Sequence, residues 1–453
     1  MNGEDNYLLV KNGHIIDPAN KFDHPGDILI HNNKIIWIAP INHRNAIPKR
    51  ISVFDAQGFI VCPGFIDLHC HLRDPGFEEK ETLQSGSLAA ARGGFTTICA
   101  MPNTYPPLDT PELIEYVLRK NTELNLIRVL PIGCVTKQRS GKELVDMDAL
   151  AEAGVIGFSD DGDPVSDPEL MRNALENSKE LELPIIQHCQ DIPLSQGAVL
   201  HKGWVAERLG LIGMPSEAEE KMAARDIHLA SQTGGVLHLA HISTEGTLRL
   251  TKEAKSLGIK VTAEVTPHHL SLTEEWALTK IENSLYDTRA KVNPPLRTPK
   301  DVSALIAGLR EGTIDAIATD HAPHRAEDKN CTMEEAAFGI SGLETTLGLL
   351  MRIVKRGELD LPTLIERLTT GPAKVLPESW KKLGSLAQGN VADIAIIDPN
   401  YEWVVRPEDM LTKGKNTPLV GSTLVGKVQA TISNGNIVYQ DNASYNRLAL
   451  EEN

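Results

Sequence analysis

Short apolar segments recur along the whole chain, but the residues between them differ between the two ends and the middle. Near the amino terminus, YLLVKNGHIID, DILIHNNKIIWIA and ISVFDAQGFIV are separated by Gly, Asn and Pro, a pattern typical of strands and hairpins. The carboxyl-terminal part repeats this pattern in SLAQGNVADIAIID and LVGKVQATISNGNIVYQ. We therefore expect one small β-sandwich domain that is assembled from residues 1–61 and 377–453.

The middle of the chain, residues 62–376, alternates short apolar segments with helix-like stretches such as PELIEYVLRKN and DPELMRNALENSKE. Eight of the apolar segments have the length and composition of buried strands: 65–69, 96–101, 126–132, 154–158, 184–188, 236–241, 261–265 and 315–319. Eight strands that alternate with helices predict an α/β fold of the (β/α)8 TIM-barrel type. A doubly wound parallel sheet is the alternative.

Residues able to bind metals follow these predicted strands. Four histidines lie at strand ends, and the carboxylates of FSDDG and ATDHAPH follow the fourth and eighth strands. In a barrel these ends meet at one mouth, so four imidazoles and at least two carboxylates would lie together. Such a set can hold two divalent cations that share a carboxylate, which lowers the pKa of bound water towards ~7 and polarises a carbonyl. Taken singly, each histidine would more often be an ordinary core or surface residue.

The first strand adds a feature that favours an anionic substrate. In extended backbone His69, His71 and Arg73 point to the same side, and a guanidinium group matches a carboxylate.

Strand alternation also turns Asp160 and Asp161 in opposite directions, so only one of them should be a metal ligand.

Composition narrows the class of protein. The formal charge of −16 and the lack of any Lys/Arg cluster argue against a nucleic-acid or membrane surface. No apolar run approaches the ~20 residues of a membrane span, and the start of the chain lacks a signal-peptide pattern. The six cysteines include no Cys-x-x-Cys pair, which favours a reducing compartment. We expect a cytoplasmic protein with a small-molecule substrate.

Seven motifs in combination resemble the bacterial dihydroorotases of type I, in the amidohydrolase superfamily. They are HCHLRDPG, KETLQSGSLAAARGGFTT, AMPNT, FSDDG, HLAHIST, NPPLR and ATDHAPH. The resemblance implies the reversible, zinc-dependent cyclisation of N-carbamoyl-L-aspartate to (S)-dihydroorotate in pyrimidine biosynthesis. It further implies one or two Zn²⁺ per subunit, with two favoured, together with a homodimer and an association with aspartate transcarbamoylase.

The resemblance also assigns roles to residues. In the hydrolytic direction a zinc-bound hydroxide attacks the ring amide, and Asp320 is the acid/base that protonates the leaving nitrogen. Family spacing selects Asp161 rather than Asp160 as the carboxylate between the metals. The implied metal ligands are His69, His71, Asp161, His188, His241 and Asp320. The implied substrate-binding residues are Arg73, Asn103, Asn293, His324, Phe338 and Gly339.

Two other functions remain open at this point. A hydantoinase or allantoinase would share the fold and the metals, but Arg73, Asn103 and Asp161, which stands where many relatives have a bridging lysine, favour the dihydroorotase. A non-catalytic scaffold for aspartate transcarbamoylase would not need the complete set of ligands.

Overall fold

The computed structural model describes residues 7–43, 45–279 and 285–452, and the elements below belong to that part of the chain. The strands are β1 (Tyr7–Asp17), β2 (Phe22–His31), β3 (Lys34–Pro40), β4 (Arg50–Asp55), β5 (Ile60–Pro63), β6 (Phe65–Cys70), β7 (Phe95–Ala100), β8 (Arg128–Pro131), β9 (Ile185–Gln187), β10 (Leu200–His201), β11 (Gly213–Met214), β12 (Leu237–Leu239), β13 (Val261–Val265), β14 (Ala316–Ile317), β15 (Ile394–Val404), β16 (Thr423–Ser433), β17 (Asn436–Gln440) and β18 (Leu448–Glu452). The helices are α1 (Leu83–Arg92), α2 (Pro111–Leu124), α3 (Met147–Ala153), α4 (Pro168–Leu181), α5 (Ile192–Ser195), α6 (Trp204–Leu209), α7 (Glu217–Thr233), α8 (Glu245–Ser256), α9 (Pro267–Ser271), α10 (Pro299–Glu311), α11 (Thr346–Lys355), α12 (Leu361–Leu368) and α13 (Thr370–Val375). None of these helices has the length and apolar character needed to cross a bilayer.

The two ends of the chain form one branched sheet. β1 pairs antiparallel with β2 and in parallel with both β4 and β5, because its two halves face different neighbours. β5 continues through β15 and β16 to β17, and β18 pairs with β4. The branches enclose an apolar cluster that includes Ile15, Ile28, Val61, Ile394 and Ile432. These pairings confirm the predicted β domain built from both termini, whereas its sequence limits stay predictions. Residues 1–6, 44 and 453 of the predicted domain lie outside the described residues.

The middle of the chain closes into a barrel of eight parallel segments. β6, β7 and β8 pair in that order, as do β9, β12, β13 and β14. Phe158 occupies the fourth position, because it bridges Gly133 on one side and Ile185 on the other. A bridge between Cys70 and His321 joins the first segment to the last. This closure confirms the predicted barrel over the doubly wound sheet, since an open sheet would have two edges.

The barrel segments are apolar because they are buried on both faces. Ile66, Leu68 and Ile186 belong to a cluster with Ala373 of α13, whereas Phe65 belongs to the larger cluster between the strands and the surrounding helices. Polar side chains therefore accumulate where the strands end, and this places the candidate site.

Candidate metal centre

The predicted site residues lie at the carboxyl-terminal ends of the barrel segments. His69 is the second-last residue of β6, and His188 directly follows β9. Three of the predicted site residues other than glycine have left-handed backbone, with φ of +60° at Arg73, +32° at His241 and +45° at Asp320. This conformation costs a side chain other than glycine about 1–3 kcal/mol, so the surrounding contacts must hold these residues in place.

Asp161 lies at the centre of the four histidines. Its Oδ1 atom is 3.5 Å from Nε2 of His69, 3.3 Å from Nδ1 of His188 and 3.2 Å from Nε2 of His241. Its Oδ2 atom is 3.5 Å from Nε2 of His71. Two buried groups with ligand atoms within 4.8 Å of one another result, one of Asp161 with His69 and His71, and one of Asp161 with His188 and His241. One carboxylate is therefore common to two potential metal positions.

Asp160 has a different role from its neighbour. Its carboxylate accepts hydrogen bonds from the backbone N–H groups of Val135, at 2.9 Å, and Thr136, at 3.2 Å, and from the Thr136 hydroxyl. It therefore holds the loop after β8, and the structure brings Asp161 rather than Asp160 to the histidines.

Asp320 approaches the same cluster from the last barrel strand. Its Oδ1 atom lies 3.1 Å from Nε2 of His71 and 3.7 Å from Nε2 of His69. Burial by itself would raise the pKa of this carboxyl, but the hydrogen bond with His71 and the nearby imidazoles hold its pKa well below the usual value. Asp320 is therefore ionised.

The second ring nitrogen of each histidine from the first strand also has a partner. Nδ1 of His69 donates to Oε1 of Glu264 at 2.8 Å, and the other oxygen of this carboxylate is 3.1 Å from Nε2 of His238. Nδ1 of His71 donates to the amide oxygen of Asn103 at 2.8 Å. Partners of this kind fix the orientation of a metal-binding imidazole.

Asn103 was predicted to contact the substrate, whereas no role was predicted for Glu264. The structure adds the bond between Asn103 and His71. The available signal for Glu264 was a carboxylate within an otherwise apolar strand, β13.

His188 is supported from its other side. Its Nε2 atom lies 2.9 Å from Oε1 of Gln190 and 3.2 Å from Nδ2 of Asn293, and Nδ2 of Asn293 donates to Gln190 at 2.9 Å. Asn293 is therefore in contact with a predicted metal ligand, while its buried Oδ1 atom has no hydrogen-bond partner in residues 7–43, 45–279 and 285–452. Gln190 was not predicted, and only its position two residues after His188 indicated it.

Asp67 is a further residue that the sequence did not indicate. This fully buried carboxyl accepts hydrogen bonds from Thr319, through N at 2.8 Å and Oγ1 at 2.5 Å, and from the backbone N–H of His69 at 3.2 Å. It ties the first barrel strand to the segment that precedes Asp320. Burial raises the pKa of Asp67 to about 7.

The residues predicted to bind substrate lie beside this cluster. Nη2 of Arg73 is 3.4 Å from Nε2 of His324, which donates to the backbone oxygen of Phe338 at 2.8 Å. Gly339 follows with φ of +140°, and a Cβ atom there would lie 2.6 Å from Cβ of Ala322. Burial lowers the pKa of Arg73 only to about 10, so its guanidinium group stays charged.

The donor set fits a divalent metal. Nε2 of His69 is buried, has no hydrogen-bond partner among the described residues, and faces Asp161 and Asp320. Imidazole nitrogens and carboxylate oxygens are the ligands that zinc and similar ions take in catalytic sites. Nε of Arg73 and Nδ1 of His324 are also buried and form no hydrogen bond within the part of the chain that the structure describes, as expected for groups that face a bound substrate.

A closed barrel with this cluster at its mouth defines a metal-dependent amidohydrolase. Residues 221–439 match the profile described as "Amidohydrolase family". Over 96% of both chains, the fold superposes with a TM-score of 0.83 on the L-hydantoinase (dihydropyrimidinase) from Arthrobacter aurescens, which is 23% identical in sequence. This similarity concerns the fold.

Sequence relatives identify the family within this class. Residues 58–247 match the profile described as "Dihydro-orotase-like". The chain is 45% identical to the dihydroorotase of Syntrophus aciditrophicus (strain SB) and 46% identical to that of Aquifex aeolicus (strain VF5). Both alignments cover 96% of this chain and 99% of the relative. The chain belongs to the dihydroorotase family.

Proposed function

We propose that this protein is a dihydroorotase, which interconverts N-carbamoyl-L-aspartate and (S)-dihydroorotate in de novo pyrimidine biosynthesis. The observation that carries the proposal is the convergence of four histidines on Asp161, next to the charged guanidinium group of Arg73. A metal centre beside a fixed cation suits a cyclic amide that bears a carboxylate.

Two zinc ions per subunit are part of the proposal. His69 and His71 would hold the first, with Asp320, and His188 and His241 would hold the second. Asp161 would be shared, and its support is that one oxygen lies 3.2–3.5 Å from three imidazoles. Bound there, divalent zinc supplies the Lewis acidity that activates water near neutral pH and polarises an amide carbonyl.

Asp320 is the proposed acid/base. Its pKa lies well below the usual value, so in the hydrolytic direction it begins as a carboxylate that can accept a proton from water. It then returns this proton to the ring nitrogen as the amide bond breaks. Cyclisation reverses the order: Asp320 first removes a proton from the attacking nitrogen of N-carbamoyl-L-aspartate.

Arg73 and its neighbours are proposed to orient the substrate. The guanidinium group would bind the ring carboxylate together with Asn103, and His324, Asn293 and the Phe338–Gly339 backbone would contact the rest of the ring. The contact between Arg73 and His324 and the buried, unpartnered Nε of Arg73 support this arrangement. Anchoring the carboxylate at a fixed distance from the metals lowers the entropic cost of reaching the transition state.

A homodimer, an association with aspartate transcarbamoylase and a cytoplasmic location stay predictions from the resemblance and the composition. A hydantoinase-like activity is the second candidate, since an L-hydantoinase shares the fold. Sequence identity above 40% to dihydroorotases over nearly the whole chain favours the dihydroorotase.

Turnover of dihydroorotate, hydantoin and allantoin by the purified protein tests the proposal. We expect zinc-dependent opening of dihydroorotate alone, lost after chelation, restored by added zinc and abolished in Asp320→Ala. Circular dichroism would verify that the variant is folded. Preferred turnover of hydantoin or allantoin would contradict the proposal. Inactivity towards all three by a folded, zinc-loaded protein would favour a scaffold that needs its transcarbamoylase partner.

A further inference from the structure

A cavity of about 250 Å³ beside His324 is lined by basic side chains. Five cationic residues contribute to it, and none of the described residues that line it is acidic. The five are Arg289, Arg325, Lys329, Lys413 and Lys415. Because the whole chain carries a formal charge of −16, this concentration reverses the sign of charge locally.

The cavity shares one residue, His324, with the proposed substrate site. Arg325 and Lys413 are exposed, whereas Lys329 and His324 are buried. His324 in turn lies 3.4 Å from Arg73, the residue proposed to bind the substrate carboxylate. Cationic side chains therefore extend from the protein surface to the buried His324, which in turn contacts Arg73.

Only part of this positive charge is neutralised by neighbouring carboxylates. Arg325 pairs with Asp328, and Arg289 with Asp287, each at 2.8 Å. Lys413 instead donates to the backbone oxygen of Glu78, which leaves its formal charge in place.

Lys329 is held in a similar way, by the backbone oxygens of Thr288, Lys291 and Ala337. Burial lowers the pKa of Lys329 to about 7, so it is partly charged at neutral pH. Burial and the charges of Arg73 and Lys329 together lower the pKa of His324 to about 2. Its imidazole is therefore neutral, and the two charges place the inner end of the cavity at positive potential.

The segment that carries Lys413 and Lys415 is fixed against the site. Oδ1 of Asn416 accepts a hydrogen bond from the backbone N–H of His324 at 2.7 Å, and Nδ2 of Asn416 donates to the backbone oxygen of Gly339 at 3.0 Å. These two lysines are therefore held beside the entrance by a rigid backbone.

We propose that this basic cavity is an electrostatic entrance that concentrates the anionic substrate at the active site, and the dianionic N-carbamoyl-L-aspartate most strongly. The inference rests on the proposed function. N-carbamoyl-L-aspartate carries two carboxylates that are ionised at neutral pH, whereas dihydroorotate carries one. A positive potential enriches an ion by a Boltzmann factor in its charge, so the enrichment of the dianion is the square of that of the monoanion.

The test compares both directions of the reaction in the zinc-loaded double variant Lys413→Gln/Lys415→Gln. At low ionic strength we expect kcat/KM to fall about threefold for dihydroorotate and about ninefold for N-carbamoyl-L-aspartate, with kcat unchanged. In 0.5 M salt, where the Debye length is about 4 Å, both deficits should disappear. Neither lysine belongs to the proposed catalytic or substrate-binding set.

The matched control is Lys252→Gln/Lys300→Gln, which removes the same charge from exposed positions on α8 and α10. It should leave both values of kcat/KM at the wild-type level. Equal losses for the two substrates, losses that persist in 0.5 M salt, or unchanged kcat/KM in the cavity variant would each overturn the inference while the proposed function stands. Failure of the wild-type protein to convert either substrate would overturn the proposed function, and this inference with it.

Discussion

Replacing Glu264 by glutamine should weaken metal binding without removing a metal ligand. Glu264 is fully buried, with one oxygen 2.8 Å from Nδ1 of His69 and the other 3.1 Å from Nε2 of His238. Although burial opposes ionisation, the two imidazoles lower the pKa of this carboxyl to about 2, so it is charged. A glutamine has nearly the same shape but no charge, and its amide oxygen can accept from only one of the two rings.

The expected loss of zinc affinity follows from the hydrogen bond between Glu264 and His69 that the substitution weakens. Loss of a carboxylate that orients a metal-binding histidine typically costs 10–100-fold in metal affinity, or about 1.4–2.7 kcal/mol. This range agrees with about 1.5–3 kcal/mol for a hydrogen bond to a charged group. We therefore expect the zinc affinity of Glu264→Gln to fall about 10–100-fold, while kcat at saturating zinc changes less.

A competition titration measures this affinity directly. Metal-free protein is titrated with zinc in the presence of a chromophoric chelator, and activity is followed against free zinc in parallel. His238→Gln is the matched control, because it alters the other contact of Glu264 and leaves the one to His69; its zinc affinity should change less than about threefold. Wild-type zinc affinity in Glu264→Gln would refute the reasoning.

Three further predictions concern separate parts of the site. Asp161→Asn should lower the zinc bound per subunit, whereas Asp160→Asn should lower thermal stability but keep the wild-type zinc content by atomic absorption; equal zinc contents would contradict the shared ligand. Gly339→Ala should raise KM for dihydroorotate at least about tenfold, since its Cβ atom would meet backbone and side-chain atoms under 3 Å away, whereas Gly342→Ala, with no contact under 3.3 Å, should act weakly. The raised pKa of Asp67 means that the folded wild-type protein binds more protons than the unfolded chain between about pH 4 and 7, so its stability falls as pH rises through this window. In urea unfolding, Asp67→Asn should therefore gain about 2 kcal/mol relative to wild type from pH 5.5 to 8, and a difference independent of pH would contradict the raised pKa.

The barrel and the composition of its site were predictable because both depend on local patterns. All eight predicted strand positions are occupied in the barrel, although the fourth is reduced to the isolated bridges of Phe158 and β14 to Ala316–Ile317. Side-chain alternation within a strand and the grouping of strand ends at one mouth are properties of short segments and of the fold class. These two properties were sufficient to predict that His69, His188, His241 and Asp320 lie close together.

The same local rules could not identify the groups that support the ligands. Glu264 lies 195 residues from His69 in sequence, and Asp67 lies 252 residues from Thr319. A carboxylate inside a buried strand indicates that it needs a partner, but its local pattern does not reveal which residue that partner is. The roles of these two carboxylates depend on which strands become neighbours when the barrel closes.

The amino-acid sequence by itself therefore determined the class of fold, the ends of the strands that carry the candidate site and the side chains that gather there. The tertiary structure alone decided that Glu264 contacts His69, that Gln190 contacts His188, and that distant lysines and arginines line one cavity beside His324. The physical reason is that periodic patterns report the burial of a segment against any apolar surface. Hydrogen bonds and electrostatic potentials act over a few ångströms, between residues that only the packed barrel brings together.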